Sequence, residues 1–110
     1  MELTALQLKK SGFEAACNSA FSVSGVDQPA SGHQLTLTAL QSHSAPPGFE
    51  QFSLMFQGPL EPLLPQGTYC FWHDRLGELP LFMVPVGKST GGVQYEVCIS
   101  RSTENDGARV

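Results

Sequence analysis

Six stretches of the chain alternate apolar and polar residues with a period of two, and most are closed off by Gly, Pro or Asp. That period belongs to strands with one buried face. It excludes a helical bundle, whose apolar residues recur every three or four positions. The clearest stretch is 93–100, with Val93, Tyr95, Val97 and Ile99 on one face and Gln94, Glu96, Cys98 and Ser100 on the other. In 51–57, Phe52, Leu54 and Phe56 point inward while Ser53 and Gln57 point outward. In 33–41, Leu35, Leu37 and Ala39 oppose Thr36, Thr38 and Leu40. The remaining three are 21–24, 68–73 and 79–86. Spaced about ten residues apart, they predict a mainly β domain of about six short antiparallel strands, in a small barrel or sandwich. The last three are joined by short turns and should form a meander.

What lies between the strands is equally constrained. Loops are expected over 27–32 and 42–48 from their Gly, Pro, Ser and Asp content. Pro59, Pro62 and Pro65 fall within seven residues, which forbids a helix interior or a central strand. This segment is a stiff extended connection. Its leucines Leu60, Leu63 and Leu64 either seal an open end of the core or present an anchor at little ordering cost, and sealing is the favoured reading. The turn 74–77 places Gly77 where a positive φ is needed. Pro80 and Pro85 must sit at an edge, a strand end or a bulge. Ahead of the strands, Leu3, Leu6, Phe13, Ala16 and Cys17 form a helical stripe interrupted at Ser11-Gly12. A helix over 4–10 and a further turn over 12–17 are expected to cap one end or face of the sheet. The whole reads as a single domain over 1–100 followed by a polar, flexible tail over 101–110.

Composition bears mainly on function. The chain has 110 residues, 41% hydrophobic, which supports one core but not two. Six Lys+Arg against ten Asp+Glu give a net charge of −4. Without a basic stripe, a nucleic-acid partner is not expected. No apolar run approaches the roughly 20 residues of a membrane helix, and the first residues lack a basic then apolar leader pattern. A cytoplasmic location with no membrane partner is therefore expected. Cys17, Cys70 and Cys98 are odd in number and widely spaced, so they read as small buried hydrophobes or partly exposed free thiols.

No residue set carries a reaction. Gly87-Lys88-Ser89-Thr90 resembles the end of a phosphate loop, yet Phe82 stands where the first Gly is required. Cys70 and His73 have the spacing of a metal pair, but on a strand they face opposite ways, and His33 and His43 add no second pair. His73 reads as a solvated strand-end residue. There is no Gly-x-Ser-x-Gly elbow and no dinucleotide fingerprint, and Asp74 and Glu78 read as solubilising residues of a turn. No enzyme activity, cofactor or metal is expected. Trp72, the single tryptophan, has two readings. If Tyr69 and Phe71 face the core, Trp72 and Cys70 face solvent and Trp72 is a candidate contact residue. Otherwise the strand is buried on both faces.

The most distinctive residues are 52–59 (Phe-Ser-Leu-Met-Phe-Gln-Gly-Pro), 64–69 (Leu-Pro-Gln-Gly-Thr-Tyr), 76–78 (Leu-Gly-Glu), 81–87 (Leu-Phe-Met-Val-Pro-Val-Gly) and 94–97 (Gln-Tyr-Glu-Val). In this order, and with Phe13 and Phe21 ahead of them, they resemble an uncharacterised family of small bacterial all-β domains over about 3–100. Asn18 stands where that pattern has Gly, and Asn also tolerates a left-handed backbone. The resemblance implies no reaction. It implies association with proteins that carry phage-tail-collar domains, in an assembled particle or fibre. The expected function is that of a non-catalytic structural or assembly protein. It would bind another protein or a second copy of itself through open sheet edges, with Trp72, Leu60, Leu63 and Leu64 as candidate contacts. The alternative is a small-molecule-binding β-barrel.

Overall fold

The computed structural model describes residues 10–25 and 28–102. The expected helix over 4–10 lies outside these residues except for Lys10, as does the tail after Ser102. A short helix α1 (Lys10–Ala15) precedes six strands: β1 (Ala20–Gly25), β2 (Gln28–His43), β3 (Phe49–Gly58), β4 (Gly67–His73), β5 (Gly77–Ser89) and β6 (Gly92–Ser102). All neighbours pair antiparallel, in the order β1-β2-β3-β6-β5-β4, and β4 pairs back onto β1 to close the ring. β4, β5 and β6 form the expected meander.

Parity along the strands fills the ring. Phe21, Val23, Leu35, Leu37, Phe52, Leu54, Phe56, Phe71, Leu79, Met83, Tyr95 and Val97 are all buried in one cluster. Phe21 stands edge-on to Phe56 at 5.2 Å, and Phe56 lies 5.1 Å from Phe71, an arrangement favoured by the ring quadrupoles. At one end Phe13 of α1 packs 6.0 Å from Phe52. At the other, Leu64 turns into the core and its N–H donates to the Tyr95 hydroxyl at 3.0 Å. A helix and one leucine of the proline-rich connection therefore stop the two ends.

Several sequence expectations need correction. Ser11-Gly12 does not break the helix, because both residues lie inside α1. The buried Phe13 and the Lys10–Glu14 ion pair at 2.7 Å hold that turn against the roughly 1 kcal/mol cost of an internal Gly. Residues from Gln28 onward are strand, not loop, since Gly25 pairs with Gln28. A bulge between Leu37 and Ala39 reverses the phase of β2, so Leu40 opposes Leu54 while Ala39 is exposed. Ser53 faces outward as expected but is only 1% exposed, because its neighbours cover it. Arg101 and Ser102 belong to β6 rather than a tail, pairing with Glu50 and Phe49, and the Arg101 guanidinium meets the Glu50 carboxylate at 2.8 Å.

Other signals translate directly. Gly77 has φ +78° and closes the three-residue turn after His73. Asn18 takes φ +68°, and its N–H donates to the Leu37 carbonyl at 2.6 Å. Pro85 abuts a bulge between Pro85 and Gly87, and at Pro80 β5 pairs with β4 rather than β6. No helix among the described residues is long and apolar enough to cross a membrane.

Candidate functional site

Burial of Phe71 and His73 on β4 turns Cys70 and Trp72 outward, which decides between the two readings of this strand. Trp72 is 51% exposed. On β5, burial of Leu79, Leu81 and Met83 turns Pro80 and Phe82 outward by the same parity, and Phe82 is 52% exposed. The β4–β5 register sets Trp72 opposite Glu78, Cys70 opposite Pro80 and Thr68 opposite Phe82. Successive rows lie about 7 Å apart, two residues along a strand. Trp72, Cys70, Pro80 and Phe82 thus form a diagonal apolar stripe on the outside of the ring. From sequence Phe82 groups with the core-spaced aromatics Phe52, Phe56 and Tyr95, and the structure corrects this: its position between the buried Leu81 and Met83 in an alternating strand places it outside.

The proline-rich segment divides its leucines. Leu64 is 7% exposed and seals the core, whereas Leu60 and Leu63 stand in solvent. The segment is held by the Tyr69 hydroxyl, which donates to the Pro65 carbonyl at 2.6 Å. Desolvation, then the neighbouring Tyr95, pushes the Tyr69 phenol above its ordinary value, so it remains a donor at physiological pH.

Cys70 sits within the stripe beside Glu78. Desolvation first, then the Glu78 carboxylate through its charge and a hydrogen bond, raises the thiol above its usual pKa. A raised pKa means less thiolate near pH 8 and slower alkylation. Glu78→Gln removes the negative charge and leaves the desolvation. The half-maximal pH for iodoacetamide labelling of Cys70, followed by peptide mass spectrometry, should therefore move down in Glu78→Gln. An unchanged profile would mean that Glu78 does not act on this thiol.

Two histidines touch serines. His73 is only 6% exposed, so it is not the solvated strand-end residue expected from sequence. The Arg75 N–H donates to His73 Nδ1 at 3.1 Å, so that nitrogen carries no proton. The neutral ring's proton is then on Nε2, which donates to Ser19 Oγ at 2.8 Å. The Ser19 hydroxyl in turn donates to the Ala16 carbonyl. A general base would need the opposite polarity, accepting the serine proton. This pair instead locks the end of α1 to the end of β4. On the other side of the ring, His43 Nε2 meets Ser53 Oγ at 2.7 Å, and Cys98 Sγ lies 3.6 Å from the same hydroxyl. Ser53 itself is only 1% exposed. Cys70 and His73 face opposite sides of β4. No cluster of three metal-ligating side chains occurs among the described residues.

A closed ring of six antiparallel strands, filled by its own side chains and carrying an aromatic stripe outside, defines a small all-β domain. The chain belongs to the family described as a domain of unknown function, DUF6916, whose model matches residues 8–99 and so spans every motif of the resemblance noted above. No curated protein and no solved structure matches the chain.

Proposed function

We propose that this protein is a non-catalytic binding module that docks another protein on the outer β4–β5 face. The carrying observation is the stripe from Trp72 through Cys70 and Pro80 to Phe82, with both aromatic rings about half exposed. Large aromatic side chains held on a rigid sheet give contact area at little ordering cost and dominate interface energies. Docking on this face is favoured over pairing at sheet edges because ring closure leaves edges only where ladders end, as in β6 beyond Glu96. The family resemblance makes a tail-collar-type protein the first partner to try, in the cytoplasm or within an assembled particle. A ligand inside the ring, the small-molecule alternative, would have to displace the aromatic core.

The test is capture from the native cell by the tagged full chain, with partner stoichiometry measured by mass spectrometry and repeated with purified components. Trp72→Ser and Phe82→Ser should each weaken a genuine complex by about 30-fold or more, the effect of losing a hot-spot side chain of about 2 kcal/mol. Both should fold normally, since exposed substitutions usually stay within about 0.5 kcal/mol. A partner held equally by wild type and both variants would overturn the assignment of this face. The absence of any complex, including a self-complex, would overturn the reading altogether.

A further inference from the structure

Trp72 is also the wall of a second feature, on the side of β4 away from Phe82. The ladders place Ser22 of β1 opposite Trp72 on one side and opposite Gln34 of β2 on the other. Trp72, Ser22 and Gln34 therefore form one row across three strands. Neighbouring strands are about 4.8 Å apart, which puts the two large side chains about 10 Å apart with a short serine between them. The β4–β5 turn brings Asp74 and Arg75 to the same trough, and Ser19, just before β1, closes its end. The resulting cleft has a volume of about 380 Å³. That is near the lower end of the roughly 300–1,000 Å³ typical of small-molecule sites, enough for one or two sugar rings.

We propose that this cleft binds a neutral saccharide, with the pyranose ring stacked on the Trp72 indole. The lining argues against ligands of a single charge and against purely apolar ones. Asp74 opposes a phosphate or carboxylate, and Arg75 opposes an ammonium. Gln34, Asp74, Arg75 and Ser22 supply too many donors and acceptors for a purely apolar ligand, whose binding would leave them unpaired. A sugar meets each demand. Its hydroxyls both donate and accept, so adjacent ones can pair with the planar carboxamide, carboxylate and guanidinium groups, two of them through charge-assisted bonds. Its C–H face is apolar and carries slight positive charge, complementing the negative face of an indole. Trp72 lines the cleft and is half exposed, so its ring is accessible to a sugar laid against it.

This inference does not depend on the protein-docking reading, although the two share Trp72. The single tryptophan makes the cleft self-reporting. Intrinsic fluorescence of the full chain is titrated with D-glucose, D-galactose, N-acetylglucosamine and their β-1,4-linked dimers. At least one should give a saturable change in the millimolar range. For that sugar, Gln34→Ala and Asp74→Asn should each weaken binding about ten-fold. Trp72→Ala, followed by calorimetry because the reporter is gone, should abolish it. Phe82→Ser disables the docking stripe but leaves the cleft whole, so it should titrate like wild type. Failure here with protein docking intact condemns only the saccharide site, and the converse condemns only the stripe. No saturation by any of these sugars up to about 100 mM, or saturation indifferent to Gln34 and Asp74, would overturn the proposal.

Discussion

Phe21→Ala should remove about 3–5 kcal/mol of stability, the usual cost of emptying a buried phenylalanine site. The site leaves little scope for collapse. Phe21 is fully buried, and its ring contacts Phe56 at 5.2 Å, Phe71 at 6.4 Å and the His73 imidazole at 4.6 Å. These partners come from β3 and β4, which pair in the ring with different neighbours, so no one strand can shift to fill the void. Domains of this size are stable by about 5–15 kcal/mol, so the loss is a large share of the total. The urea midpoint should fall by about 2 M, taking a slope of about 1–3 kcal/mol/M. His73 also loses the ring against which it lies, which loosens its hydrogen bond to Ser19 and frees the end of α1. Phe82→Ala is the matched control. It removes the same side chain from the outer face and should stay within about 0.5 kcal/mol of wild type. Equal effects from the two substitutions would contradict the inside and outside assignment of the ring.

The strands were legible because a half-buried sheet writes its parity into the sequence. Tyr95, Val97 and Ile99 could not alternate with Gln94, Glu96 and Cys98 for any other simple reason. Closure was less legible, because it depends on β1 meeting β4, fifty residues apart at Ser22 and Trp72, and no local pattern encodes that pairing. The bulge at Leu37–Ala39 was invisible for a related reason. A run of Thr, Ala and Leu is compatible with either phase, and the partner strand decides. Gln28 and the residues after it read as loop from their Pro, Ser and Gly content, yet the pairing of Gly25 with Gln28 makes them strand.

The two candidate sites show the same division. The exposure of Trp72 was one of two readings from β4 alone, and the stripe emerged only when the β5 register put Phe82 two rows away. The cleft needed three strands at once, since Ser22, Gln34 and Trp72 have no sequence relation beyond occupying one row. His73 shows why residue type is a poor guide to role. Its position after a strand suggested solvent, whereas the Arg75 N–H and Ser19 hydroxyl give a buried imidazole both of its hydrogen bonds. A buried polar side chain with both partners in place stabilises one arrangement of the chain and needs no catalytic explanation.

Gly92→Ala tests the other end of the ring, where β5 turns into β6. Gly92 has φ +139°, a conformation that side-chain-bearing residues rarely adopt. A Cβ there would also drive into the Gly58 carbonyl oxygen on the end of β3. That obstacle is backbone, fixed by the pairing of Gly58 with Val93, so it cannot rotate away as a side-chain tip would. Backbone strain of about 1–3 kcal/mol and a similar cost for overpacking together predict a loss of about 2–6 kcal/mol. The neighbouring Gly91 provides the contrast. Its φ is not positive, and an added Cβ would meet only the tips of Gln57 at 3.4 Å and Ser89 at 3.8 Å. Gly91→Ala should therefore be near neutral, or slightly stabilising through reduced freedom of the unfolded chain. Urea unfolding of the two alanine variants side by side separates a general need for glycine in this turn from a specific close approach of β6 to β3. If both lose stability equally, turn flexibility is the requirement. If only Gly92→Ala collapses, the ring is closed at this end by direct contact between two backbones.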